Sequence, residues 1–186
     1  MASDQKWRNG LFSASAAKVT PNFPGTFNGP VEVRSTNGQN IFASERALYG
    51  SSFTETLGIP DNQLTTKYWF PWYDNVNMQT WISVGAPSTN TQAANVDIYI
   101  GGVKVNASSY SIPAGGRVTP NFPGTFNGPV EVRSTNGQNI IASERVLYGN
   151  SFAETGGTPD NQLTTQYWFP WYDGQTMRTW ISIGVP

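Results

Sequence analysis

At 186 residues, with a net charge of −1 and only 12% charged side chains, the chain has no electrostatic footprint for nucleic acid or an anionic membrane. It contains no cysteine and no histidine, which excludes disulfides, thiolate chemistry and the usual zinc sites. No apolar run approaches the ~20 residues that span a bilayer, and 13% aromatic content is far too rich for a disordered chain.

Residues 1–17 hold Lys6, Arg8, a brief Leu11-Phe12 step and Ala14-Ser15-Ala16. This imitates a signal-peptide cleavage region, but the apolar part is too short, so the segment is expected to be an N-terminal arm. From residue 18 the chain repeats itself. Residues 18–87 align without gaps on residues 117–186, with fourteen differences in seventy positions. That is a tandem duplication with a period of 99 residues, a normal size for a β-sandwich module.

Within a copy, residues 19–25 read as an extended segment broken by prolines. Residues 30–35 alternate Val31 and Val33 against Glu32 and Arg34, as in a half-buried strand. Asn37-Gly38 predicts a hairpin turn into a return strand over 41–49. A Gly- and Ser-rich loop through Pro60-Asp61-Asn62 is expected next. Then comes Tyr68-Trp69-Phe70-Pro71-Trp72-Tyr73-Asp74, five rings and a proline in seven residues, followed by a strand over 80–84. The second copy repeats the heptad unchanged at 167–173.

The spacer is patterned too. Residues 96–100 alternate, Gly101-Gly102 turns the chain, and residues 103–105 resume the alternation. No helical period appears. The expected fold is all-β, as tandem Ig-like antiparallel β-sandwich modules. The spacer hairpin needs an apolar partner, which sets the phase of the modules. Residues 18–75 are expected to be a first, partial module, 76–163 a complete one, and 164–186 a strand segment completing a neighbouring module. Incomplete sandwiches leave open edges that recruit strands, either from another copy of the chain, head to tail, or from the other half of the same molecule.

The strand end Ala-Ser-Glu-Arg-x-Leu-Tyr (43–49 and 142–148), the aromatic heptad, and Thr-Trp-Ile-x-x-Gly-x-Pro resemble a tandem β-sandwich repeat of large secreted bacterial cell-surface proteins. The repeat resembled closes on Asn-Pro, where this chain has Ala86-Pro87 and Val185-Pro186. The resemblance covers residues 18–186 and implies non-enzymatic stalk, adhesion or filament duty outside the cell. It brings no site chemistry with it.

Alternation sends heptad rings to both faces of a strand, with Tyr68, Phe70 and Trp72 on one side and Trp69, Pro71 and Tyr73 on the other. The residues expected in intermodule packing or ligand stacking are Tyr68, Trp69, Trp72, Tyr73, Trp81, Tyr167, Trp168, Trp171, Tyr172 and Trp180. Structural ion pairs are expected between Arg34 and Glu45 and between Arg133 and Glu144, across the hairpins. No catalytic group, metal or cofactor is expected. The function expected is a structural or adhesive extracellular repeat protein that associates with itself. The alternative is a carbohydrate-binding module or lectin stacking a surface polysaccharide on the heptad rings, with neither nucleic acid nor membrane insertion involved.

Overall fold

The computed structural model describes residues 18–186; the expected N-terminal arm, 1–17, lies outside the described residues. The fold is all-β with antiparallel pairing throughout. The first copy contributes β1 (Ser44–Tyr49), β2 (Ser52–Leu57), β3 (Lys67–Phe70), β4 (Tyr73–Asp74) and β5 (Gln79–Gly85). The spacer contributes β6 (Ala94–Ile100), β7 (Val103–Lys104) and β8 (Tyr110–Ile112). The second copy adds β9 (Arg117–Val118), β10 (Phe126–Asn127), β11 (Val130–Ser134), β12 (Ile141–Tyr148), β13 (Ser151–Gly156) and β14 (Thr158–Pro159).

Two sheets share one core. One runs β14-β3-β11-β6, with β7 and β8 both on β6, and the other runs β13-β12-β5-β9. Alternating side chains fill the space between them: Tyr68 and Phe70, Val96, Ile98 and Ile100, and Val130 and Val132 from the first sheet, Ile82, Val84 and Ala142 from the second. Each sheet interleaves the copies. β11 lies between β3 and β6, while β12 pairs with β5 over seven residues, from Ile141↔Gly85 to Leu147↔Gln79. Neither copy therefore closes on itself.

The remaining halves stay open. β1 pairs only with β2, and residues 164–186 join no ladder among the described residues. Val31 is 72% exposed, whereas its counterpart Val130 is fully buried. Identical strand patterning thus gives opposite burial, because the second copy's segment has β3 and β6 to pair with and the first copy's has neither.

Three local expectations are corrected. Asn37-Gly38 closes no hairpin, because residues 30–35 form no strand, and its counterpart Asn136-Gly137 closes none either: β11 belongs to one sheet and β12 to the other, so that turn carries the chain between layers. Asn136 secures this crossing, accepting the Asn95 N–H at 3.1 Å and donating to the Ala93 carbonyl at 2.8 Å. The true hairpin partner of β12 is β13, in the stretch expected to be loop; β1 and β2 repeat that hairpin in the first copy. Finally, β3 lies inside the first sheet, so the sandwich begins before the expected boundary at residue 76.

Ile82 and Ile181 are the same residue of the two copies, one fully buried and the other 54% exposed. Ile82→Ala should lower unfolding stability by about 2–5 kcal/mol through lost transfer energy and the cavity left behind. Ile181→Ala should stay within about 0.5 kcal/mol of the parent in dilute protein, as at an exposed position. Urea titrations of both variants check this.

Candidate functional site

The heptad is where the copies meet. Along β3, Tyr68 and Phe70 point into the core while Trp69 turns outward. The Trp69 indole N–H donates to Asp160 Oδ1 at 2.7 Å, and Lys67 Nζ lies 5.6 Å from the Trp69 ring centroid. Pro71 interrupts the strand, so parity changes across it. Tyr73, not Trp72, is the third ring in the core, correcting the simple alternation. At this turn the second copy comes very close: a Cβ on Gly128 would sit 2.6 Å from the Pro71 carbonyl oxygen. Only glycine fits there.

Tyr73 ties the two copies together. Its hydroxyl donates to the Thr80 carbonyl at 2.8 Å and accepts the Phe122 N–H at 2.8 Å, and its ring packs 6.0 Å from that of Phe122. Beside it, Asp74 Oδ1 accepts the Val76 and Asn77 N–H groups at 2.9 and 2.8 Å, while Oδ2 accepts the Asn77 amide at 3.1 Å. Burial works against the Asp74 charge, but these donors outweigh it and hold the carboxyl below its usual range. The carboxylate is occupied in closing a loop.

The second heptad has the same local loop without the core around it. Asp173 Oδ1 accepts the Gln175 and Thr176 N–H groups at 2.8 and 2.9 Å, and Tyr172 donates to the Thr179 carbonyl at 3.0 Å. The Thr176 hydroxyl and these N–H groups hold Asp173 down to about 2. Yet Tyr167, Trp168, Trp171, Tyr172 and Trp180 are all exposed, Trp168 by 84%. With Pro71 and Trp72 of the first copy they line an open cleft of about 760 Å³. The expected packing residues therefore fall into two groups. Tyr68 and Tyr73 are core, Trp69, Trp72 and Trp81 are half-buried, and their second-copy counterparts face solvent.

A further contact was not anticipated from the sequence. β2 lies alongside β13, the edge of the second sheet, and joins it through hydroxyls instead of a ladder. Ser52 Oγ donates to the Phe152 carbonyl at 3.0 Å and accepts the Phe152 N–H at 2.9 Å. Thr56 donates to the Glu154 carbonyl at 2.9 Å, and the Glu154 N–H donates to Thr54 at 3.2 Å. The signal available was a run of hydroxyls at every second residue, Ser52, Thr54 and Thr56.

The expected ion pairs do not form. Arg34 pairs with Glu32, and Arg133 with Glu131 at 3.4 Å and with the Tyr99 hydroxyl at 2.6 Å. The reason is topological, because the strands carrying Arg133 and Glu144 lie in different sheets. Glu45 sits on the exposed hairpin, while Glu144 is buried with Oε1 lacking any donor, and burial pushes it up to about 8. Arg145 instead reaches Glu154 at 3.1 Å. A second buried carboxylate, Asp97, is satisfied by Lys104 at 2.8 Å, Ser109 at 2.7 Å and Asn106 at 3.3 Å. Among the described residues no cluster of three or more acidic side chains is placed to hold a metal ion.

Compared with protein-family models, curated proteins and solved structures, the chain matches none of them.

Because Glu144 is raised in the folded state, folding takes up a proton between the unfolded value near 4.5 and the folded value of about 8. Its contribution is fully present below pH 4.5 and lost as pH rises through about 8. Thermal stability should therefore fall from pH 5 to pH 8, by at most ~1.4 kcal/mol per pH unit. Glu144→Gln should flatten that slope and be the more stable protein at pH 8, as scanning calorimetry can measure.

Proposed function

We propose that the chain is a non-enzymatic structural or adhesive repeat protein of the cell surface, a stalk or filament subunit whose modules join head to tail. The sandwich is, on this reading, one Ig-like module of a tandem array. One observation carries the proposal. The only closed core among the described residues draws its strands from both copies and the spacer, while the counterpart segments toward either end, 30–35 and 178–184, form no ladder and the β1–β2 hairpin stays exposed. Exposed strand edges with apolar faces recruit further strands. A head-to-tail contact of that kind propagates instead of closing. The likeness of the Glu-Arg-x-Leu-Tyr strand end and the Trp-rich step to repeats of secreted bacterial surface proteins points the same way. The near-neutral charge fits a partner surface recognised by shape and strand pairing.

A second reading has its own observation. The open cleft lined by Trp72, Trp168, Trp171 and Trp180 offers ring faces on which the apolar face of a sugar could stack. It would make the protein a lectin for a surface polysaccharide.

Light-scattering mass measured across a concentration series separates them. The assembly reading expects mass to rise in steps of one chain, and strictly monomeric protein at high concentration overturns it. Titration with oligosaccharides should leave tryptophan emission unchanged on the assembly reading. A saturable shift, lost in Trp168→Ala, supports the lectin.

A further inference from the structure

We propose that a second copy of this chain lays residues 178–184 antiparallel along the open edge of β1, in the register that β5 keeps on β12. This rests on the assembly reading above and specifies its joint. The molecule carries its own template. β12 and β5 pair from Ile141↔Gly85 to Leu147↔Gln79, and the 99-residue offset carries that ladder to Phe42↔Gly184 through Leu48↔Arg178. Of the fourteen positions involved, only Phe42, Ala47, Arg178 and Ile183 differ from their counterparts, and three of these keep an apolar residue.

The acceptor is already arranged. On β12–β13, Ser143 donates to Glu154 at 2.7 Å and Arg145 reaches the same carboxylate at 3.1 Å. On β1–β2, without a third strand, Ser44 donates to Glu55 at 2.6 Å and Arg46 reaches it at 3.2 Å. The two hairpins also share their register, Ser44↔Leu57 to Tyr49↔Ser52 matching Ser143↔Gly156 to Tyr148↔Ser151. What β1 lacks is the strand on its other side.

The donor is equally unmet. Ile183 is 83% exposed where Val84 is 1% exposed, and Ile181 and Trp180 face solvent beside it. Within one chain the two parts do not pair, and they rest on different elements. β2 rests against β13, whereas Gly184 lies against Pro129 and Pro71, where a Cβ would meet Pro129 Cβ at 3.0 Å and Pro71 Cα at 3.3 Å. A second copy supplies the strand while leaving both of these contacts in place.

The chain has no cysteine, so disulfide mapping has no background thiol. Ser44 and Ser182 are the counterparts of the Ser143↔Ser83 pair, whose side chains point away from the core. Directly opposite residues of an antiparallel pair lie within disulfide reach. Full-length Ser44→Cys and Ser182→Cys chains are mixed and oxidised, and a 44–182 linked heterodimer is the expected product. Pairing Ser44→Cys with Ile183→Cys, one residue out of register, should give on the order of tenfold less, because a one-residue step reverses the face. Equal yields, or a preference for the shifted pair, overturn the register while leaving assembly standing if mass still rises with concentration. A chain carrying both serine changes that yields only monomer with an internal 44–182 bond overturns the second copy as partner. No rise in mass and no crosslink together overturn both this joint and the assembly reading. Unchanged circular dichroism of each single variant confirms that the fold is intact.

Discussion

Everything in this fold depends on one ladder, the pairing of β5 with β12. It joins the last strand of one copy to the central strand of the next and sets the two faces of the sandwich in phase. Because the ladder is antiparallel and one face is buried, a slip by one residue would turn Ile82 and Val84 outward and admit their polar neighbours. Register is thereby fixed by the core, and the core by register. The interleaved pairing of β11 with β3 and β6 does the same for the opposite sheet.

The duplication provides an internal control that separates local from tertiary effects. The Asp74 loop and the Asp173 loop form alike, since their donors lie two or three residues away in the same segment. Burial of the rings does not come with them. Tyr73 is sealed by Phe122 of the other copy, and Tyr172, with the same heptad around it, is open. Glu45 and Glu144 make the point in electrostatic terms. They occupy the same strand position, yet only Glu144 loses its water, because only β12 has a facing sheet.

An open strand edge beside exposed apolar rings is a hazard that folded proteins usually blunt. Here one edge is managed and another is not. The outer side of β13 is covered by the hydroxyls of β2, which satisfy its backbone groups without extending the sheet by a ladder. The outer side of β1 has no such cover. An edge left free next to a hairpin with its ion pair in place is the arrangement an acceptor in a self-complementing array would need, and it supports the assembly proposed above.

Much of this was legible in the residues. The alternation of Val96, Ile98 and Ile100, the turn at Gly101-Gly102 and the 99-residue period are all local or periodic signals. They fix strand class and the size of the repeating unit, since side chains alternate with period two whatever the strand pairs with. The pairing itself had to come from the folded molecule. Asn136-Gly137 has the chemistry of a hairpin turn but serves as a crossing between sheets, because β11 already has a partner on each side. Pro71 shifts which heptad ring is buried, and the hydroxyl seam between β2 and β13 joins segments a hundred residues apart. Sequence determined what each strand could bury; only the tertiary structure decided which strands found something to bury against, because burial belongs to a pair of surfaces and not to either strand alone.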